Sequence, residues 1–82
     1  MRRLTHRQAQ VLRFIAAHVQ ERGFPPSIRE IGAAFGMTST RGAYDHIAAL
    51  ERKGCLVKIP HCMRAISLTA AGKDFIARGV AA

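Results

Sequence analysis

Residues 27–54, SIREIGAAFGMTSTRGAYDHIAALERKG, hold two helix signatures separated by only a few residues. Ser27 followed three residues later by Glu30 is a capping box: the serine hydroxyl accepts from an early backbone N–H, and the glutamate reaches back to the serine N–H. Ile28, Ile31, Ala34 and Phe35 then recur at helical spacing, which predicts a helix over 28–35, and Gly36 supplies a left-handed stop. After Met37-Thr38 a second helix starts at Ser39 or Thr40. Its apolar stripe of Ala43, Ile47 and Leu50 runs to about residue 53, where Arg52-Lys53-Gly54 ends it. Two helices joined by so short a turn must cross steeply. That is the helix-turn-helix arrangement, in which the second helix is offered to the major groove of duplex DNA.

Toward the amino terminus, Thr5 and Gln8 form another capping box behind Leu4. Val11, Leu12, Phe14, Ile15 and Val19 make a wide apolar stripe over four turns, closed by Gly23. Pro25-Pro26 cannot continue that helix and leads the chain stiffly into the cap at Ser27. Beyond Gly54 the period changes from helical to alternating. Leu56-Val57-Lys58-Ile59 and Ala65-Ile66-Ser67-Leu68 are short β-prone runs flanking a five-residue tip, Pro60-His61-Cys62-Met63-Arg64. An isolated hairpin is not stable, so it must lie on the helices through Leu56, Ile66 and Leu68. Thr69 caps a last helix to about Arg78, with Phe75 and Ile76 apolar; Gly72 should weaken it by about 1 kcal/mol. Residues 79–82 read as a frayed tail. The expected fold is mainly α with a small β-hairpin: a winged helix-turn-helix of three core helices, a two-stranded wing and a short carboxy-terminal helix, all in one domain over residues 1–82.

Composition narrows the function class. The 82 residues carry 13 Lys/Arg against 5 Asp/Glu, a formal charge of +8, and the pI is about 11.2. Such a balance is the electrostatic footprint of a nucleic-acid partner, although a positive surface also simply keeps a small protein dissolved. The cations are spread from Arg2 to Arg64 and beyond rather than massed in a tail, which suits a folded basic face. No apolar run approaches the ~18 residues that a membrane span needs, and no signal peptide precedes the first helix. Two cysteines are too few for a disulfide framework, so the reducing cytoplasm of a bacterium, with the protein on the nucleoid or encoded by a phage, is the expected setting. Cys55, His61 and Cys62 lack the paired spacing of a zinc site, and the thiols are expected to be buried or idle. No nucleophile is arranged with a base and an orienting group, so neither an enzyme nor a cofactor or small-molecule ligand is expected.

The residues quoted so far are similar to a known family. Leu4-Thr5 with Arg7-Gln8, Gly23-Phe24-Pro25-Pro26-Ser27 with Glu30-Ile31, His46, Leu50, Arg52-Lys53-Gly54, and Arg64 before an apolar strand resemble the amino-terminal DNA-binding domain of the LexA repressors. The resemblance runs over about residues 4–68. It implies a winged helix-turn-helix that binds duplex DNA as a repressor, with Lys53 matching a lysine that faces phosphate. LexA repressors continue into a domain that dimerises and cleaves itself with a serine–lysine dyad. No such domain is visible in this sequence, and Ser27, Ser39 and Ser67 all have structural placements, so self-cleavage is not expected. The recognition helix departs as well. Where the family shows Asn-Ala-Ala-Glu-Glu, this chain has Arg41-Gly42-Ala43-Tyr44-Asp45, so the family's operator does not carry over. The Leu68–Lys73 ending instead resembles small stand-alone winged-helix regulators, in which the last helix pairs two subunits.

The start of the third helix supplies the candidate base readers. Arg41 can donate two parallel hydrogen bonds to guanine O6 and N7, Asp45 can accept from cytosine N4, and Tyr44 offers a ring to a thymine methyl and a hydroxyl to a phosphate. An ion pair between Arg41 and Asp45, four residues apart, is the competing use of both. Gly42 could let the backbone sit close to DNA. Ser39 and Thr40 join this group as caps whose hydroxyls and free N–H neighbours also suit a phosphate. Arg7, Arg29, Arg52 and Lys53 are candidate DNA-backbone contacts, with the helix dipole as the alternative reason for Arg52 and Lys53. His61 and Arg64 on the wing would touch backbone or the minor groove. His6 reads as an exposed first-turn residue, and His18 and His46 as satisfied core or boundary histidines. A single module of this size covers little DNA, so a homodimer on two half-sites is expected, joined through Phe75 and Ile76. A protein-interaction module built on the same scaffold, acting on another regulator or enzyme, and a non-specific architectural protein are the competing functions.

Overall fold

A computed structural model describes residues 4–59 and 66–78. Within them the order is α1 (His6–Arg22), α2 (Ile28–Ala34), α3 (Thr40–Arg52), β1 (Leu56–Lys58), β2 (Ile66–Leu68) and α4 (Ala70–Ala77). This is the winged helix-turn-helix that the sequence implies.

Each of the first three helices begins and ends on local chemistry. Thr5 Oγ1 accepts from Gln8 N–H at 3.1 Å while Thr5 N–H donates to Gln8 Oε1 at 3.1 Å. Ser27 and Glu30 repeat the exchange at α2, at 3.1 and 2.8 Å. At the other ends, α1 stops where Gly23 N–H donates to Val19 O. The α2 and α3 helices each end in a paired Schellman closure, with Met37 N–H to Gly32 O and Gly36 N–H to Ala33 O, then Cys55 N–H to Leu50 O and Gly54 N–H to Glu51 O. The closures need a left-handed residue, and Gly36 and Gly54 stand there at φ +67° and +82°.

These stops aim the helices at one shared core. Leu4, Ala9, Val11, Leu12 and Ile15 meet Ile31 from α2 and Ala43, Ile47 and Leu50 from α3. Strands β1 and β2 pair antiparallel, Leu56 opposite Leu68 and Lys58 opposite Ile66, and bury Leu56 and Ile66 in the same core. Leu68 packs against it half-buried, so the hairpin is anchored through the three expected side chains.

Helix α4 folds back against α1 and β2. Thr69 is its cap, accepting from Gly72 N–H at 3.0 Å, and also ties it to the turn after α3: Thr69 N–H donates to Cys55 O, and Thr69 Oγ1 to Gly54 O. Gly72 therefore has a different meaning from a weak helix former. A Cβ there would run into the carbonyl oxygen of Cys55, so the close approach of α4 to that turn requires glycine. Phe75 does not form the expected subunit contact surface. It is 8% exposed and belongs to the core, with Ile76 packed beside it, so Phe75 is spent on the protein's own interior and is not free to join two subunits. No helix among the described residues is long and apolar enough to cross a membrane.

Candidate nucleic-acid interface

Ala43, Ile47 and Leu50 turn one side of α3 into the core. Helical geometry then sends Arg41, Tyr44, Asp45 and Arg52 to the opposite side, and all four are exposed. Ala48 lies on the centre line of that outward stripe, one turn after Tyr44 and one before Arg52. Along about 16 Å of helix the stripe presents a cation, an aromatic ring beside an anion, a methyl group and a second cation.

The outward groups are unspent. Arg41 and Asp45 form no ion pair with each other, and the guanidinium groups of Arg29, Arg41 and Arg52 have no hydrogen bond or ion pair among the described residues. Three acids elsewhere are engaged: Glu51 with Lys58 at 3.7 Å, Asp74 with Arg78 at 2.9 Å, and Glu30 in its cap. Tyr44 is 54% exposed, a large apolar surface standing in water on a helix whose other large apolar residues, Ile47 and Leu50, are turned inward.

At the start of α3, Ser39 is the cap, with Oγ accepting from Arg41 N–H at a long 3.4 Å, and Thr40 is the first helical residue; both are exposed. Gly42 does not face outward. A Cβ there would lie 3.1 Å from Met37 Sδ, so its smallness lets the helix pack on the turn after α2 rather than on a ligand.

The expected backbone contacts divide. Arg29, second in α2, and Arg52 are exposed and uncommitted. Arg7 is exposed but engaged within the molecule: its guanidinium lies 5.3 Å from the centre of the Phe35 ring and donates to Gln10 Oε1 at 3.3 Å. Lys53 is half-buried, and its Nζ donates to Gln8 Oε1 at 2.6 Å. That oxygen also closes the α1 capping box, so one glutamine ties the end of α3 to the start of α1. Nothing local announces this link, because the partners are 45 residues apart. Ala48 could have been found from its spacing, seven residues after Arg41 and four after Tyr44. His61 and Arg64, with Cys62, lie outside the described residues.

The remaining chemistry is structural. His18 is buried, its Nδ1–H donating to Phe24 O at 2.8 Å and its Nε2 lying 3.9 Å from Glu30 Oε2, between the rings of Phe14 and Phe24. A shallow cleft of about 280 Å³ opens beside it, lined by Phe14, Ala17, Glu21, Arg22 and Glu30. His46 is half-buried and His6 exposed. Cys55 is buried, and burial raises its thiol pKa against the opposing pull of Lys53. No group of three or more metal-ligating side chains occurs among the described residues.

A protein-family profile, the LexA DNA-binding domain, matches residues 1–65. A LexA repressor of Anaeromyxobacter dehalogenans is 48% identical over 79 residues, covering 96% of this chain and 35% of the relative. One from Leptospira interrogans is 54% identical over 68 residues, covering 83% of this chain and 33% of its own length. In Sorangium cellulosum a LexA repressor is 55% identical over 58 residues. The chain thus spans about a third of the length of these relatives, and the matched part contains every described element of the helix-turn-helix. With fold and sequence in agreement, the chain belongs to the LexA DNA-binding domain family.

Proposed function

We propose that this chain binds duplex DNA sequence-specifically as the reading domain of a transcriptional repressor, with α3 in the major groove. The observation that carries the reading is the outward row on α3: Arg41, Tyr44 and Asp45 are exposed, uncommitted and held rigid by a core and two closed turns behind them. Arg41 takes guanine through O6 and N7, a contact worth about 1–3 kcal/mol of discrimination, and Asp45 accepts from cytosine N4. Ser39, Thr40, Arg29 and Arg52 hold phosphate, and the wing residues His61 and Arg64 lie along the backbone or minor groove. Lys53 serves mainly by tying the end of α3 to the start of α1, and Arg7 by holding α1 against Phe35 at the end of α2, which together set the register of the reading helix. Two copies act as a homodimer on paired half-sites.

The test is selection of binding sites from a random duplex pool, followed by titration of the selected site and a scrambled duplex at rising salt. A preferred site is expected. Both duplexes should lose about 10³-fold or more between 50 and 200 mM salt if six or more phosphates are contacted. Arg41→Ala should erase the preference at one guanine while leaving the salt dependence almost unchanged. Binding that ignores both sequence and salt would refute the proposal and favour a protein partner instead.

A further inference from the structure

The polar groups on α3 explain contacts to guanine, cytosine and phosphate, but not the two apolar residues between them. Tyr44 stands on one flank of the outward stripe, 54% exposed. Ala48, one turn further toward the same side, is half-buried and offers no more than a methyl group. The two lie about 6 Å apart along the axis. A large ring beside a short side chain makes a step: the ring forms its wall and the alanine its floor, with Arg41 before it and Arg52 after it. Neither residue is needed by the core, which closes through Ala43, Ile47 and Leu50 on the other side. Nothing polar is available on that floor to read a base edge. In the major groove, the one apolar feature a base pair displays is the 5-methyl group of a pyrimidine.

We propose that Tyr44 and Ala48 form a methyl-reading step that makes this protein select a 5-methylpyrimidine within its half-site, beyond the guanine bound by Arg41. The inference rests on α3 being the base-reading helix. It names what the centre of that helix discriminates: thymine by virtue of its methyl, and equally a 5-methylcytosine placed at the same position. The Tyr44 hydroxyl is not part of the step, because the contact is made by the ring.

The experiment begins from the site selected out of the random pool. Each thymine of the half-site is replaced singly by deoxyuridine, and each cytosine singly by 5-methylcytosine. Affinities are measured for the unaltered chain and for Tyr44→Ala, Tyr44→Phe and Ala48→Ser. For the unaltered chain, at least one deoxyuridine should weaken binding about fourfold, the scale of withdrawing one methyl from an apolar contact. Converting that position to cytosine and then to 5-methylcytosine should restore part of the loss in the second step only. Tyr44→Phe should keep the full deoxyuridine effect, Tyr44→Ala should abolish it, and Ala48→Ser should reduce it. Deoxyuridine that is silent at every thymine, a half-site without thymine at which 5-methylcytosine is also silent, or an effect undiminished in Tyr44→Ala overturns the inference while base reading by α3 stands. Failure to recover any site overturns the underlying reading itself. Tyr44 is exposed, so its variants are expected to fold; a melting midpoint shared with the unaltered chain verifies this.

Discussion

At the scale of single residues, the informative cases are those where local propensity and packing predict opposite signs. Gly72 is one. In an exposed helix, replacing glycine by alanine adds about 1 kcal/mol of stability. Here the added Cβ meets the backbone carbonyl of Cys55, which is itself fixed by the Thr69 N–H, so nothing nearby can swing away. Gly72→Ala is therefore expected to destabilise by about 1–3 kcal/mol, the range for overpacking. A thermal melt reads this as a fall of several degrees; a rise would show that α4 stands off from the turn. Cys55 gives a second test. Its thiol is held above the ordinary value of 9.0 by burial, so the folded chain keeps this proton more tightly than the unfolded chain does. Its contribution is complete below that value and is lost as pH climbs through and above it, where the unfolded thiol ionises first. Urea midpoints between pH 7 and 10 should fall more steeply for the unaltered chain than for Cys55→Ala. Parallel slopes would mean that the thiol is not buried.

At the scale of elements, what could be read from the sequence is what is decided within one turn of chain. The capping boxes at Thr5 and Ser27, and the stops at Gly23, Gly36 and Gly54, all depend on residues three to five apart, and the observed helices differ from those expected by about one residue at their carboxy ends. The exposed row on α3 was legible for the same reason, since the apolar stripe fixes the opposite face. The remainder depended on what the fold brings opposite a residue. Phe75 reads as a surface residue from sequence because the α1, α3 and hairpin residues of the core it joins are distant along the chain. The two serine caps show how geometry grades a shared motif. Ser27 has reciprocal bonds at 3.1 and 2.8 Å, whereas Ser39 has a single bond at 3.4 Å, near the limit of a useful one. Ser27→Ala should lower stability by about 1 kcal/mol and Ser39→Ala by clearly less, as compared by urea midpoints. Equal costs would mean that Ser39 caps more firmly than its distance implies.

At the scale of the whole molecule, size and charge set how many copies a site needs. The chain measures 29 × 23 × 23 Å, so one copy spans less than a helical turn of duplex, and a module of this kind covers only about 600–1,000 Å² of its own surface on DNA. Half-sites one turn apart place their centres about 34–36 Å from each other, which exceeds the longest extent of the molecule. Two copies therefore fit side by side on one face of the duplex without overlap. Each carries a formal +8 charge, so in free solution they repel, while between them the phosphates screen that repulsion. With Phe75 buried and Ile76 half-buried against the chain's own core, little apolar surface is left on α4 to join them beforehand. Pairing is accordingly expected on the DNA more than in solution. Sedimentation at micromolar concentration should show a single chain alone and two chains on a duplex carrying the selected site. Shifting one half-site by five base pairs, which rotates it to the opposite face, should weaken binding of the second copy. One chain on the intact site, or two bound equally well on the shifted one, would leave the copies independent and remove the homodimer from the account.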